Sequence, residues 1–184
     1  MNMTRREAII HMAMLMGSSV VGSRLLARNF GLSGEHDTIF SANEVALLNL
    51  MGDTILPETD VPGAGAVEIG TFVTMMLSDC YAPEVQSKFR EDVRDWEARY
   101  QSAHGQAFME GSPADRTEFL NQLDHEQYDS AEHSFRILKD LTILGYFTSE
   151  IGCTQALRFK EVPGSYDGNV PYRKGDRAWF TKIR

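Results

Sequence analysis

The chain has little of what chemistry in a protein usually requires. Of its 184 residues only two are cysteines, Cys80 and Cys153, and five are histidines. No metal-ligand spacing surrounds either cysteine, and neither Cys-x-x-Cys-His nor His-Glu-x-x-His occurs, so no metal, iron–sulfur cluster or covalent haem is expected in this chain. Gly-x-Gly-x-x-Gly after a strand, a phosphate-binding loop with its lysine and a Gly-x-Ser-x-Gly elbow are all missing. A flavin or nicotinamide fold is thereby excluded. Alternating runs long enough for a sheet are absent too, and there are no internal repeats or low-complexity tracts. What remains is an all-α chain without a visible cofactor site.

Positive charge is also scarce. Lysine and arginine total 18 against 26 acids, a net of −8. Four arginines and one glutamate fall within residues 1–28, so the remainder holds 14 basic and 25 acidic residues, a net of −11. With no basic stripe outside the first 28 residues, nucleic acid is excluded as a partner. Nor is there an uninterrupted run of the roughly 20 apolar residues that a membrane span needs. His11, Gly17, Ser18, Ser19, Gly22, Ser23 and Arg24 dilute the only long apolar stretch, 8–27.

That stretch follows Thr4-Arg5-Arg6-Glu7, close to the N-terminus. Paired arginines ahead of a moderately hydrophobic, almost acid-free segment form a twin-arginine type of export signal, an address for chains that fold before they cross. Arg5 and Arg6 are its targeting residues, and an ordinary amphipathic first helix is the alternative. No clean Ala-x-Ala site is visible, so cleavage stays open. The expected organisation is a signal segment over 1–28, a polar, glycine-bearing linker over 29–40 and one helical domain over 41–184. An apolar fraction of 42%, with two tryptophans and ten phenylalanines, suffices for its core.

The pattern predicts a compact bundle of about five helices with an irregular C-terminal tail. Ser41-Ala42-Asn43-Glu44 is a capping box, and Val45, Leu48, Met51 and Ile55 carry a first helix over about 42–55, ended by Leu56-Pro57. A second over about 66–80 places Ile69, Val73 and Met76 on one face. Pro83 suits the first turn of a third, whose stripe is Phe89, Val93, Trp96 and Tyr100, spaced 4, 3 and 4. Ser112-Pro113 opens a short fourth through Phe119, Leu120 and Leu123. A fifth over about 130–151 turns Phe135, Leu138 and Leu141 inward, with Gly152 as its C-terminal stop. From Pro163 the chain becomes irregular and is expected to wrap around something.

The acids Glu91, Asp92, Asp95 and Glu97, interleaved with Lys88, Arg90, Arg94 and Arg99, read as a solvated helix face of pairs three and four residues apart. His125 and His133 read as solvated or capping residues. Beyond an export signal a Cys80–Cys153 disulfide is permitted, with free, buried thiols as the alternative.

Two segments exceed what packing requires. The first is Leu56-Pro57-Glu58-Thr59-Asp60-Val61-Pro62-Gly63-Ala64, where Pro62-Gly63 presets a tight turn. The second is Gly145-Tyr146-Phe147-Thr148-Ser149-Glu150-Ile151-Gly152. Glycine beside aromatics and hydroxyls suits close backbone approach and interface anchoring. The candidate partner-interface residues are therefore Pro57, Thr59, Asp60, Pro62 and Gly63; Tyr146, Phe147, Thr148, Ser149 and Glu150; and Tyr166, Tyr172 and Trp179 of the tail. Plain packing of the helix against the proline–glycine loop within the chain is the alternative.

With these segments in view, the sequence resembles the gluconate 2-dehydrogenase subunit 3 family, the small or gamma subunits of periplasmic flavin dehydrogenase complexes. The matching features are Thr4-Arg5-Arg6, the run from Ile55 to Ala64, the run from Gly145 to Gly152, and Val162-Pro163-Gly164-Ser165-Tyr166-Asp167-Gly168, in that order. The resemblance implies a non-catalytic subunit. Its partner would be a flavoprotein of the glucose-methanol-choline class carrying FAD, with or without an iron–sulfur cluster, and a cytochrome c subunit with haem c would take the electrons. It further implies that the leader brings the signal-less flavoprotein across the membrane through the twin-arginine translocase, giving a periplasmic location. Substrates across such systems are sugars, sugar acids and glycosides. A free-standing periplasmic helical binding protein is the other reading that the residues allow.

Overall fold

Ser41 opens the first helix in the way its pattern requires. Its Oγ accepts from the Glu44 N–H at 3.3 Å, and the Glu44 carboxylate reaches back to accept from the Ser41 N–H at 2.7 Å. Two otherwise unmet amides are satisfied, and helix α1 runs Ala42–Ile55. Leu47, Leu48 and Met51 turn inward, while Val45 and Ile55 border the core. The computed structural model describes residues 39–129, 133–162, 164, 169, 171 and 173–180.

The second helix starts later than its hydrophobic pattern suggests. Ala64–Val67 forms a 3₁₀ turn, and α2, Ile69–Cys80, begins only after Glu68. Glu68 sits at φ 52° and ψ 47°, the left-handed region that costs a residue with a Cβ about 1 kcal/mol. This kink swings α2 onto α1 at Gly70, which donates its N–H to Asn49 Oδ1 at 3.1 Å. A Cβ there would meet the Val45 carbonyl oxygen and lie 2.7 Å from Asn49 N.

Helix α3, Pro83–His104, has proline in its first turn and buries Phe89, Val93, Trp96 and Tyr100, the stripe that the spacing predicts. It ends at Gly105, whose φ of 71° is readily reached only by glycine and whose N–H donates to Gln101 O at 2.8 Å. Trp96 stands edge-on to Phe89 and Phe135, at 6.1 and 6.0 Å between centroids. Tyr100 does the same with Phe108 and Phe119 at 5.0 and 5.3 Å. Helix α4, Pro113–Glu126, is capped by Ser112 and buries Phe119, Leu120 and Leu123.

The last helix, α5, Ser134–Thr148, is capped by His133, whose Nδ1 accepts from the Phe135 N–H at 3.2 Å. The expected start near 130 falls outside the described residues. Its end corrects the sequence reading. Ser149 breaks the helix, and a π-helical turn, Gly152–Ala156, follows. Gly152 does not stop a helix through a left-handed backbone. It is buried against Tyr146, where any Cβ would strike the Tyr146 carbonyl oxygen.

On the outer face of α3 the expected pairs form, Lys88–Asp92 at 2.8 Å and Arg99–Asp95 at 3.9 Å. More of the charge reaches to other helices. Arg90 and Arg94 engage Glu44 of α1 at 3.2 and 3.5 Å, Arg99 engages Glu126 of α4 at 2.5 Å, and Ser134 of α5 donates to Asp92 at 2.5 Å. Burial pushes the Glu44 carboxyl up, but the hydrogen bonds from Ser41 and the Arg90 guanidinium outweigh it and hold the group below its ordinary range.

Among the described residues there is no strand. The tail meets the chain after the π turn through one isolated parallel bridge, in which Arg158 N donates to Ala178 O at 2.8 Å and Phe180 N to Arg158 O at 2.9 Å. Cys80 and Cys153 are both free thiols in this structure, not joined to each other. Cys80 is exposed at the end of α2, whereas Cys153 is buried in the π turn with its Sγ donating to Phe147 O at 3.2 Å. No helix among the described residues is long and apolar enough to cross a membrane.

Candidate functional site

The loop over 56–65 is shaped from both ends. Asp53, in the last turn of α1, accepts from the Gly65 N–H at 2.9 Å, and Ala64 N donates to Leu56 O at 2.9 Å. Inside this ring Thr59 N donates to Val61 O at 3.0 Å, a tight local turn. Gly63 lies so close to Asp53, Glu58 N and Leu56 O that a Cβ would come within 2.6 to 2.9 Å of each. Pro57, Glu58, Thr59 and Asp60 then project into solvent as one exposed tip.

Helix α5 fastens the far side. The Tyr146 hydroxyl donates to the Pro62 carbonyl oxygen at 2.6 Å, and the ring is buried. Burial raises the phenol above its ordinary value of 10.0, and the nearby Asp60 carboxylate adds to this. Gly145, one residue before, lets Phe72 and Ile69 of α2 press against the helix, at 2.5 and 2.6 Å from where a Cβ would stand. Ser149 accepts from the Gly152 N–H at 3.1 Å and donates to Tyr146 O at 2.7 Å, closing the end of α5 on itself.

The two sequence-marked segments are therefore brought together, and the link runs within the chain. Tyr146, Gly63 and Ser149 serve intrachain packing, the alternative reading of these residues. Phe147 is half-buried, its ring 5.1 Å from Tyr146, while Thr148 and Glu150 are exposed. Trp179 is not part of this cluster. It is half exposed under the Arg158 guanidinium, 5.4 Å from the ring centroid, and Asp176 holds that arginine at 2.7 Å. Arg5, Arg6, Tyr166 and Tyr172 lie outside the described residues.

Sequence reasoning missed Asp53. An acid in the last turn of a helix opposes the helix dipole unless an N–H answers it, and that conflict is the signal that could have found it. It also missed the outward pair Ile143 and Leu144, 40% and 47% exposed on α5.

Removing the Tyr146 hydroxyl while keeping its ring isolates the fastening. Tyr146→Phe is expected to lower stability by about 1–2 kcal/mol in urea unfolding, because a half-buried carbonyl loses its donor. Thr148→Ala, two residues away and exposed, should stay within about 0.5 kcal/mol. Equal losses in the two variants would contradict the fastening.

Elsewhere, a groove of about 320 Å³ between Ile39 and the start of α3 contains Arg90 and Arg94, both already engaged by Glu44. Among the described residues no group of three or more histidine, cysteine, aspartate or glutamate side chains could hold a metal ion. The arrangement offers an exposed acidic loop tip on a rigid support, beside a helix end rich in apolar side chains.

No curated protein and no solved structure matches the chain. A family model does, over residues 42–164, from the first residue of α1 to just beyond the π turn, and it takes in both marked segments. The chain thus belongs to the gluconate 2-dehydrogenase subunit 3 family, named for one subunit of a dehydrogenase complex.

Proposed function

We propose that this protein is the non-catalytic small subunit of a dehydrogenase complex whose catalytic subunit is an FAD-carrying flavoprotein of the glucose-methanol-choline class. In this reading it does two things. Its arginine-paired leader takes the folded flavoprotein to the periplasm through the twin-arginine translocase, and its helical domain stabilises the assembled pair there or at the periplasmic face of the inner membrane. Oxidation of a sugar, sugar acid or glycoside belongs to the flavoprotein, and a cytochrome c subunit receives the electrons. Membership of a family named for a dehydrogenase subunit carries the reading. The leader supports it, because an export route for folded chains suits a protein that travels with a partner already assembled.

The test is co-expression with the flavoprotein of the same complex. Arg5→Lys together with Arg6→Lys should leave both proteins in the cytoplasm, a loss of most periplasmic flavoprotein by immunoblot and dye-linked activity. A flavoprotein that reached the periplasm regardless would end the escort reading. Failure of the wild-type pair to co-purify would end the subunit reading.

A further inference from the structure

The second half of α5 carries apolar side chains on its uncovered side as well as on its covered one. Inward it presents Leu141, Thr142, Gly145 and Tyr146, all buried. In its first half the outward face is polar, with Arg136 and Asp140 exposed and Lys139 paired with Asp124 at 2.6 Å. Two turns later the same outward side carries Ile143, Leu144 and half-buried Phe147, followed by half-buried Ile151. Single exposed leucines are ordinary, but Phe147 lies four residues from Ile143 and three from Leu144, so these three side chains adjoin on one face, with Phe147 also resting on the core.

Of the other exposed apolar groups, Ile39 and Val162 lie outside the helices, before α1 and after the π turn. Met109 and Tyr128 stand alone on turns, while Phe159 and Trp179 already have partners in Phe180 and Arg158. The α5 strip differs also in its support. Phe135, Leu138 and Leu141 seat the helix in the core, so docking requires no ordering of the chain.

We infer that Ile143, Leu144 and Phe147 form the docking surface for the catalytic subunit of the complex, an inference that rests on the function proposed above. The charge around the strip selects between occupants. Of the charges along that face, Arg136 lies two turns before Ile143 and Lys139 is already paired with Asp124, whereas Asp140 and Glu150 border the patch directly, both exposed and acidic, on a chain of net charge −8. A second copy packed about a two-fold axis through the patch would bring these carboxylates against one another, a like-charge rim that disfavours self-association. The complementary surface is an apolar patch rimmed by lysine or arginine, and it belongs to a different chain. Ile143 and Leu144 are its anchors, and the acids set orientation and encounter rate.

The experiment uses the full-length chain and its flavoprotein, mixed and analysed by size exclusion and surface binding. Ile143→Asp with Leu144→Asp should weaken association by about 100-fold or more, and Leu144→Ala alone by about 10-fold. Both positions face outward, so the helical circular dichroism and melting temperature of the variants should match the wild type. Leu144→Ala, with the strongest helix former at that site, tests the surface even where the aspartates disturb folding. Tyr128→Asp should leave association unchanged. Asp140→Lys with Glu150→Lys should slow association several-fold at low salt and little at high salt. An Ile143/Leu144 variant that binds like wild type overturns the inference. So does a wild-type homodimer that the same substitutions dissolve, which would assign the strip to a second copy. If the wild-type chain forms no complex with any flavoprotein, the function proposed above falls and this inference with it. If the complex forms but ignores the strip, only the inference falls.

Discussion

Trp96→Ala is expected to lower stability by about 3–5 kcal/mol, the range for emptying the site of a large buried aromatic. Against the roughly 5–15 kcal/mol that holds a typical domain together, that is about a fifth of the total at the least. Trp96 is 2% exposed and joins two helices. It stands edge-on to Phe89 of its own helix and to Phe135 of α5, and His133, the cap of α5, stacks on it at 6.4 Å with planes 12° apart. Alanine would therefore leave a void at the α3–α5 contact and loosen the cap that starts α5. In a chain of this size each kcal/mol moves the melting temperature by about 2–4 °C, so a fall of about 10 °C is expected by calorimetry. Trp179→Ala, a half-exposed tryptophan in the tail, should change stability by less than about 1 kcal/mol. A Trp96→Ala variant as stable as Trp179→Ala would mean that α3 and α5 do not pack in this way.

Gly70→Ala is expected to be nearly as costly, about 3 kcal/mol, at the upper end of what overpacking does. The reason is what the new methyl would strike. Its nearest neighbours are the carbonyl oxygen of Val45 and the amide nitrogen of Asn49, backbone atoms of a regular helix that cannot swing aside. Alanine's advantage in helix propensity, about 1 kcal/mol, is too small to offset this. The whole of α2 would have to lift from α1, stretching the bond from Gly70 N to Asn49 Oδ1. Thr71→Ala, exposed on the next residue, should stay within about 0.5 kcal/mol. Urea midpoints of the two variants decide the matter, and equal midpoints would remove the close crossing.

The periodic parts of the fold were open to reading from the sequence, because periodicity is a local property. The stripe Phe89, Val93, Trp96 and Tyr100 and the box of Ser41 with Glu44 lie within a few residues of one another, and each forms as expected. What stayed hidden depends on segments far apart. Glu68 reads as an ordinary helical residue until α2 has to meet α1, and Gly152 reads as a stop until Tyr146 lies over it. Arg90 and Arg94 look like members of a solvated ladder, yet their partner Glu44 sits 46 residues from Arg90. At the candidate site the sequence singled out Tyr146 but left its direction open. A phenol with an apolar body and a polar tip has the same signature whether its hydroxyl meets another protein or the chain's own Pro62. Ile143 and Leu144 escaped notice for the opposite reason, since an apolar residue inside a helical pattern reads as core.

The clasp that Asp53 and Tyr146 place on the 56–65 loop has a consequence in timing. Fixing the backbone of one residue takes about 1–2 kcal/mol of conformational entropy, and a free loop of this length would lose several such increments when another surface pressed upon it. Here the loss occurs during folding, when Gly65 meets Asp53 and Pro62 meets Tyr146. The tip at Pro57, Glu58, Thr59 and Asp60 thus holds one shape before anything touches it. Its encounters are those of a rigid body, and their speed depends on orientation and diffusion rather than on a search among loop conformations.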